Sequence, residues 1–150
     1  MLHCGLHAVN ALLGSLRRRP YLSSELDSIT CRIHRKELEI CPDGTDTIPQ
    51  ESGNYPLETL LVALRLQHLN AEFEKPLPES RRHIIITRTT VGYLIGTGDH
   101  YVSIVRGLGA ERWRLFDNGR VVDTDPRSPF ALMARMTVRP RVVLHVTRKR

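Results

Sequence analysis

The sequence has no long apolar run. Its longest uninterrupted apolar stretches are four or five residues, far short of the roughly 20 that a membrane-spanning helix requires, so no membrane span is expected. The segment Met1–Leu13 opens without a cationic stretch and offers no small-residue cleavage site; it does not read as a secretory signal, and a cytoplasmic or nuclear location is the expectation. Cysteine is scarce. Cys4, Cys31 and Cys41 make an odd count with no Cys-x-x-Cys pair, which argues against a disulfide scaffold and against a structural zinc site. No metal and no organic cofactor is expected. Internal repeats and low-complexity segments are lacking too. What remains is 150 residues, 41% hydrophobic and 25% charged, the composition of one globular domain with a core of its own.

Charge of one sign is in excess. The net charge is +6, concentrated in Arg17-Arg18-Arg19, Arg81-Arg82 and Arg148-Lys149-Arg150. Such runs can attract nucleic acid or acidic membranes. These stand beside prolines or at a chain end, and no aromatic residue interleaves with them as a base-stacking surface requires. Solvated charge is the stronger reading, and nucleic acid is not an expected partner.

Hydrophobic spacing changes character near residue 70. Leu6, Val9, Leu13 and Leu16, widened by Leu12, predict a helix over 4–16, and Cys4, Gly5, Ala8 and Ala11 give it a second face of small residues. A helix over 23–39 follows, with Ser23 or Ser24 as cap, Glu25 and Asp27 in its first turn, and Leu26, Ile29 and Ile33 as its stripe. Breakers from Pro42 to Asn54 mark a loop over 41–54. A third helix is predicted from about 56 to 69 around Leu57, Leu60, Leu61 and Leu64. Beyond it, strands are predicted at 71–73, 83–87, 93–95, 101–106, 112–116 and 141–147, with a Gly-Thr-Gly turn at 96–98 and a short helix over 129–136. Helices followed by an antiparallel sheet make an α+β domain.

Three residues suggest chemistry together. Cys4 opens a helix, where unpaired N–H groups and the helix dipole favour a thiolate, the nucleophile of acyl transfer. His100 opens a strand straight after a glycine turn, where it could take the thiol proton and return it to a leaving amine. Asp117 ends the next strand, so an antiparallel pairing could set it beside His100 as the acceptor that orients the ring. Asp117-Asn118-Gly119 is equally a hairpin turn signal, and Asn118 could be the acceptor instead.

Cysteine on a helix start, then His, then Asp or Asn on neighbouring strands is the papain-like order. Cys4-Gly5-Leu6-His7-Ala8-Val9-Asn10-Ala11-Leu12-Leu13 resembles the active-site helix of the Josephin family of papain-like deubiquitinases, which carries Cys, His three residues on and Asn six on. Tyr21–Leu26 looks like the start of that family's helical arm. Gly53-Asn54-Tyr55 is similar to a segment of the small stand-alone Josephin proteins, Asp99-His100-Tyr101 resembles the His-aromatic strand start, and Trp113–Asp117 resembles the strand with the third catalytic residue. The resemblance runs from residue 2 to about 147. It implies a papain-like Josephin fold and a thiol isopeptidase on ubiquitin conjugates, with Cys4 as nucleophile, His100 as base and acid, and Asp117 as orienter. It implies ubiquitin or ubiquitinated proteins as partners of a monomeric chain, and an arm between the first and third helices that gates the cleft.

One family residue is not found. Josephin domains carry an oxyanion Gln about five residues before the Cys, a position that here precedes Met1. Removing one oxyanion donor typically lowers rate roughly 100- to 1000-fold. The expectation is a single Josephin-like domain over 1–150 lacking its extreme N-terminus. Two alternatives stay open: a weak or inactive ubiquitin-binding module, and another papain-like peptidase such as a bacteriocin-leader type. His7 could line the cleft or pack within the helix; His3, His34, His68, His83 and His145 have no assigned role.

Overall fold

Helices precede strands as the periodicity requires. A computed structural model describes residues 3–40, 55–74, 86–107 and 112–149. The expected 41–54 loop, with Cys41 and Gly53-Asn54, lies outside them, as do residues 83–85 of the expected 83–87 strand.

The first helix, α1, spans Cys4–Ser15. Its large stripe and its small-residue face are both buried, so neighbours close on it from two sides. A side chain at Gly5 would stand 3.2 Å from Leu60 and 3.6 Å from the Tyr101 ring. The helix ends in a Schellman turn: Arg18 N–H donates to Leu13 O (3.1 Å) and Arg17 N–H to Gly14 O (3.0 Å), with Arg17 left-handed at φ 56°. Helix α2 spans Ser23–Ile40. The expected serine cap is not the residue before it; that position is Leu22, whose N–H donates to the Glu25 carboxylate (2.9 Å), the acidic half of a capping box. Helix α3, Leu57–Leu66, begins after Pro56 and stops earlier than predicted because His68 turns left-handed (φ 58°) and Leu69 enters a strand. A buried Thr30–Thr59 hydrogen bond (2.9 Å) joins α2 to α3.

Six strands follow among the described residues: β1 Leu69–Phe73, β2 Thr90–Gly96, β3 Tyr101–Arg106, β4 Trp113–Asp117, β5 Arg120–Asp125 and β6 Val142–Arg148, with helix α4, Pro129–Arg135, before the last. All pairings are antiparallel, in the order β1-β6-β2-β3-β4-β5. The 83–87 strand expectation fails where it can be seen. Ile86 and Thr87 are irregular, because Thr87 takes part in a turn into β2: its N–H donates to Thr90 Oγ1 (3.1 Å) and its carbonyl accepts from Thr90 N–H (3.2 Å).

The sheet divides two apolar clusters. Val91 and Leu94 of β2 and Val105 of β3 face α1, α2 and α3; Tyr93, Ile95, Val102, Ile104, Trp113 and Leu115 face α4. Period-two alternation in the central strands therefore feeds two cores. Helix α1 lies across β2, β3 and β4, which brings its first turn to the sheet end where β3 begins and β4 finishes. No helix among the described residues is long and apolar enough to cross a membrane.

Candidate active site

Two turns and one helix start meet at that end of the sheet. The β2–β3 turn is held by Thr97 N–H donating to His100 O (2.9 Å), with Gly98 at φ 121°, open only to glycine at low cost. This fixes the His100 main chain and leaves its ring to cross toward β4. The β4–β5 turn is Asn118-Gly119, both left-handed (φ 51° and 79°), the two-residue turn that favours Asn-Gly. Strands β3 and β4 pair, so Asp117 falls beside His100. Asp117 Oδ1 lies 2.6 Å from His100 Nε2.

Of the two side chains the sequence offered, Asp117 is the one that meets the ring. Asn118 is spent on the turn, and Asp117 is the partner of the imidazole. With the carboxylate accepting from Nε2–H, the neutral ring keeps its lone pair on Nδ1. The His100 side chain is 18% exposed and that of Asp117 38%.

Cys4 is the first residue of α1 and is 1% exposed. The residue before the helix, His3, provides no side-chain cap, so the N–H groups of the first turn have no side-chain acceptor there. Among the described residues no hydrogen bond joins the Cys4 thiol to His100; hydrogen bonds of catalytic groups are often long until substrate binds. Tyr101, read in the sequence as the aromatic residue after His100, lies 3.6 Å from where a side chain at Gly5, the residue after Cys4, would begin. Burial first, and the charge of Cys4 second, push its hydroxyl above the ordinary phenol range. An aromatic residue directly after a candidate histidine, at the start of a strand facing a small-residue helix, was the signal for it.

The other motif residues separate. His7 is half-buried, and its Nδ1 lies 3.3 Å from where a side chain at Gly119 would begin, so it borders the turn that carries Asp117; the His3 ring meets it edge-on at 6.5 Å. Asn10 turns away. Its amide donates to Tyr21 O (3.0 Å) and its Oδ1 accepts from Tyr21 N–H (2.7 Å), while Tyr21 Oη donates to Ala63 O (2.7 Å). Asn10 is thus a clamp between α1 and the approach to α2. His145 has surroundings that its sequence position did not suggest: Nε2 lies 2.8 Å from Thr90 Oγ1, Nδ1 3.5 Å from Glu74, and its ring stacks on Tyr93 at 5.1 Å. Cys31 is a free, half-buried thiol on α2. Among the described residues no three His, Cys, Asp or Glu side chains are grouped to hold a metal.

A histidine whose tautomer is fixed by a carboxylate, beside a helix start that carries a thiol, can move one proton toward or away from a nucleophile. No protein-family model matches this chain, and no curated protein does.

Proposed function

We propose that the chain is a papain-like thiol isopeptidase of the Josephin type that hydrolyses ubiquitin conjugates. The observation that carries this reading is the 2.6 Å contact between His100 and Asp117 at the sheet end on which the Cys4 end of α1 lies. In the proposed cycle, His100 Nδ1 takes the thiol proton and Cys4 Sγ bonds to the carbonyl carbon of ubiquitin's C-terminal glycine. First-turn N–H groups of α1 donate to the developing oxyanion. The tetrahedral adduct breaks its C–N bond as His100 returns the proton to the leaving lysine amine. Water, deprotonated by the same imidazole, then cleaves the thioester and restores the thiol. Asp117 stays ionised and supports the imidazolium.

The test is a ubiquitin probe with a C-terminal electrophile. Covalent labelling that disappears in Cys4→Ser supports the reading, and an unlabelled wild-type chain overturns it. A double-glycine leader peptide serves as the competing substrate: its cleavage, without reaction toward ubiquitin, would assign another papain-like peptidase.

The burial of Cys4 favours a second reading, a ubiquitin-binding module without turnover, because a thiol closed off from solvent behaves as a small apolar side chain. Saturable ubiquitin binding by a chain that the probe never labels is its signature.

A further inference from the structure

The sheet has a concavity at the end away from Cys4. From Cys4 to Ser15 along α1, and from Tyr101 to Arg106 along β3, the chain advances roughly 16 Å at 1.5 Å per helical and 3.3 Å per strand residue. There a cleft of about 460 Å³ opens; among the described residues Arg17, Arg88, Arg106 and Arg148 line it and no acidic residue does. The four arginines come from four separate segments: the exit of α1, the turn into β2, the end of β3 and the end of β6. Arg17 and Arg148, 131 residues apart in the chain, belong to two basic runs, and the fold brings these two residues into one place.

Three features distinguish this cleft from scattered surface charge. Arg17, Arg88, Arg106 and Arg148 form no ion pair with a carboxylate among the described residues, and like charges repel. The wall is fixed: Arg106, at the end of β3, donates from Nη1 to Thr87 O (2.9 Å) and stands 5.6 Å from the ring centre of Trp113, in the cluster facing α4, so its guanidinium braces the turn into β2 instead of entering the cleft. Arg17 occupies the left-handed position of the α1 Schellman turn, where glycine is the favoured residue. Backbone strain is accepted there in a residue that brings a cation to the rim.

We propose that the cleft binds a compact ligand bearing several phosphate groups. Arginine's planar fork matches phosphate oxygens, and a phosphate group carries up to two charges on three acceptor oxygens where a carboxylate carries one. The cations of Arg17, Arg88 and Arg148 around so small a volume call for that charge density. The cleft has the size of a small-molecule site, and no aromatic residue among the described ones lines it, so these offer nothing for a nucleobase to stack on. The site is separate from the proposed thiol chemistry and does not depend on it.

The test is calorimetric titration of the full chain with inorganic tripolyphosphate at about 0.15 M salt, where long-range surface attraction is screened. Saturable one-to-one binding is expected, at least tenfold tighter than orthophosphate. Arg88→Gln with Arg148→Gln should weaken it at least tenfold, and Arg127→Gln, outside the cleft, should leave it unchanged. Arg17→Gly should weaken binding while the melting temperature holds or rises, a combination that a misfolded variant cannot give. Absent or unsaturable binding, or equal loss in Arg127→Gln, overturns the site. A single-stranded oligonucleotide bound as tightly, with the same arginine dependence, overturns the small ligand in favour of nucleic acid. A soluble inositol phosphate and vesicles carrying the corresponding phosphoinositide separate the two sources of this chemistry: binding confined to the free headgroup assigns a soluble ligand, and additional affinity for the vesicle assigns a lipid, each through the same arginines.

Discussion

Between His100 and Asp117 only one hydrogen bond is drawn, yet it determines which ring nitrogen can act as a base. Replacing Asp117 by Asn keeps the shape of the side chain but allows its amide to donate, which favours the opposite tautomer. On the proposed mechanism, Asp117→Asn lowers kcat on a fluorogenic ubiquitin C-terminal amide by about 10²- to 10⁴-fold with far less effect on KM. Asn118→Gly, at a position where the backbone is left-handed, should leave the rate near wild type. A rate loss in Asn118→Gly as large as in Asp117→Asn would transfer the role to the turn. The sequence alone held both options, because a hairpin signal and a carboxylate at a strand end occupy the same three letters. The Cys4, His7 and Asn10 spacing was legible through the family resemblance, but not where each side chain goes. Spacing of three residues says that side chains are neighbours on a helix; it does not say that Asn10 finds the main chain of Tyr21 instead of the site.

Among the elements, the helices were the most readable, since each buries a stripe of period 3.6 and the hydrophobic pattern is its direct image. Strand β5 was missed. Arg120–Asp125 exposes Val121 and Val122 and carries three charges, so it has neither alternation nor an apolar run; it exists because the Asn118-Gly119 turn folds it onto β4 and because Arg135 of α4 pairs with Asp123 (3.0 Å) and Asp125 (3.1 Å). The insertion of β6 between β1 and β2 was equally hidden, since it joins residues about 70 apart in the chain and no local pattern encodes such a pairing. That insertion places His145 of β6 against Tyr93 of β2, with Thr90 and Glu74 at its nitrogens. Burial lowers the His145 pKa below the ordinary 6.5, outweighing the opposite pull of Glu74 and Glu72. In the unfolded chain the same ring binds its proton more readily, so stability contributed here is complete above about pH 6.5 and is lost as pH falls toward the folded-state value. Urea unfolding across that range should show a wild-type decline that His145→Gln reduces. Equal slopes in the two proteins would remove His145 as a source of acid sensitivity.

At the scale of the whole molecule, β2, β3 and β4 each contribute to both apolar clusters, so neither side of the sheet can lose its packing without exposing the other. The one tryptophan, Trp113, lies in the cluster facing α4, whereas three of the four helices lie on the opposite side. Tryptophan fluorescence and far-ultraviolet helix signal therefore report different layers, and they should give one coincident unfolding midpoint. Separate midpoints would mean that the α4 layer melts by itself.

The depth of Cys4 has a consequence for chemistry in either reading of the protein. A thiol that is sealed in the folded state reacts with a small alkylating reagent only during excursions that uncover it, while Cys31, half-buried on α2, reacts from the native surface. The ratio of their alkylation rates, read by peptide mass, becomes a clock for the opening of the first turn of α1. A ubiquitin tail that speeds the clock at Cys4 holds the helix start open, and one that slows it covers the entrance. On the proposed mechanism, the same seal would shield the nucleophile from oxidants until substrate uncovers it.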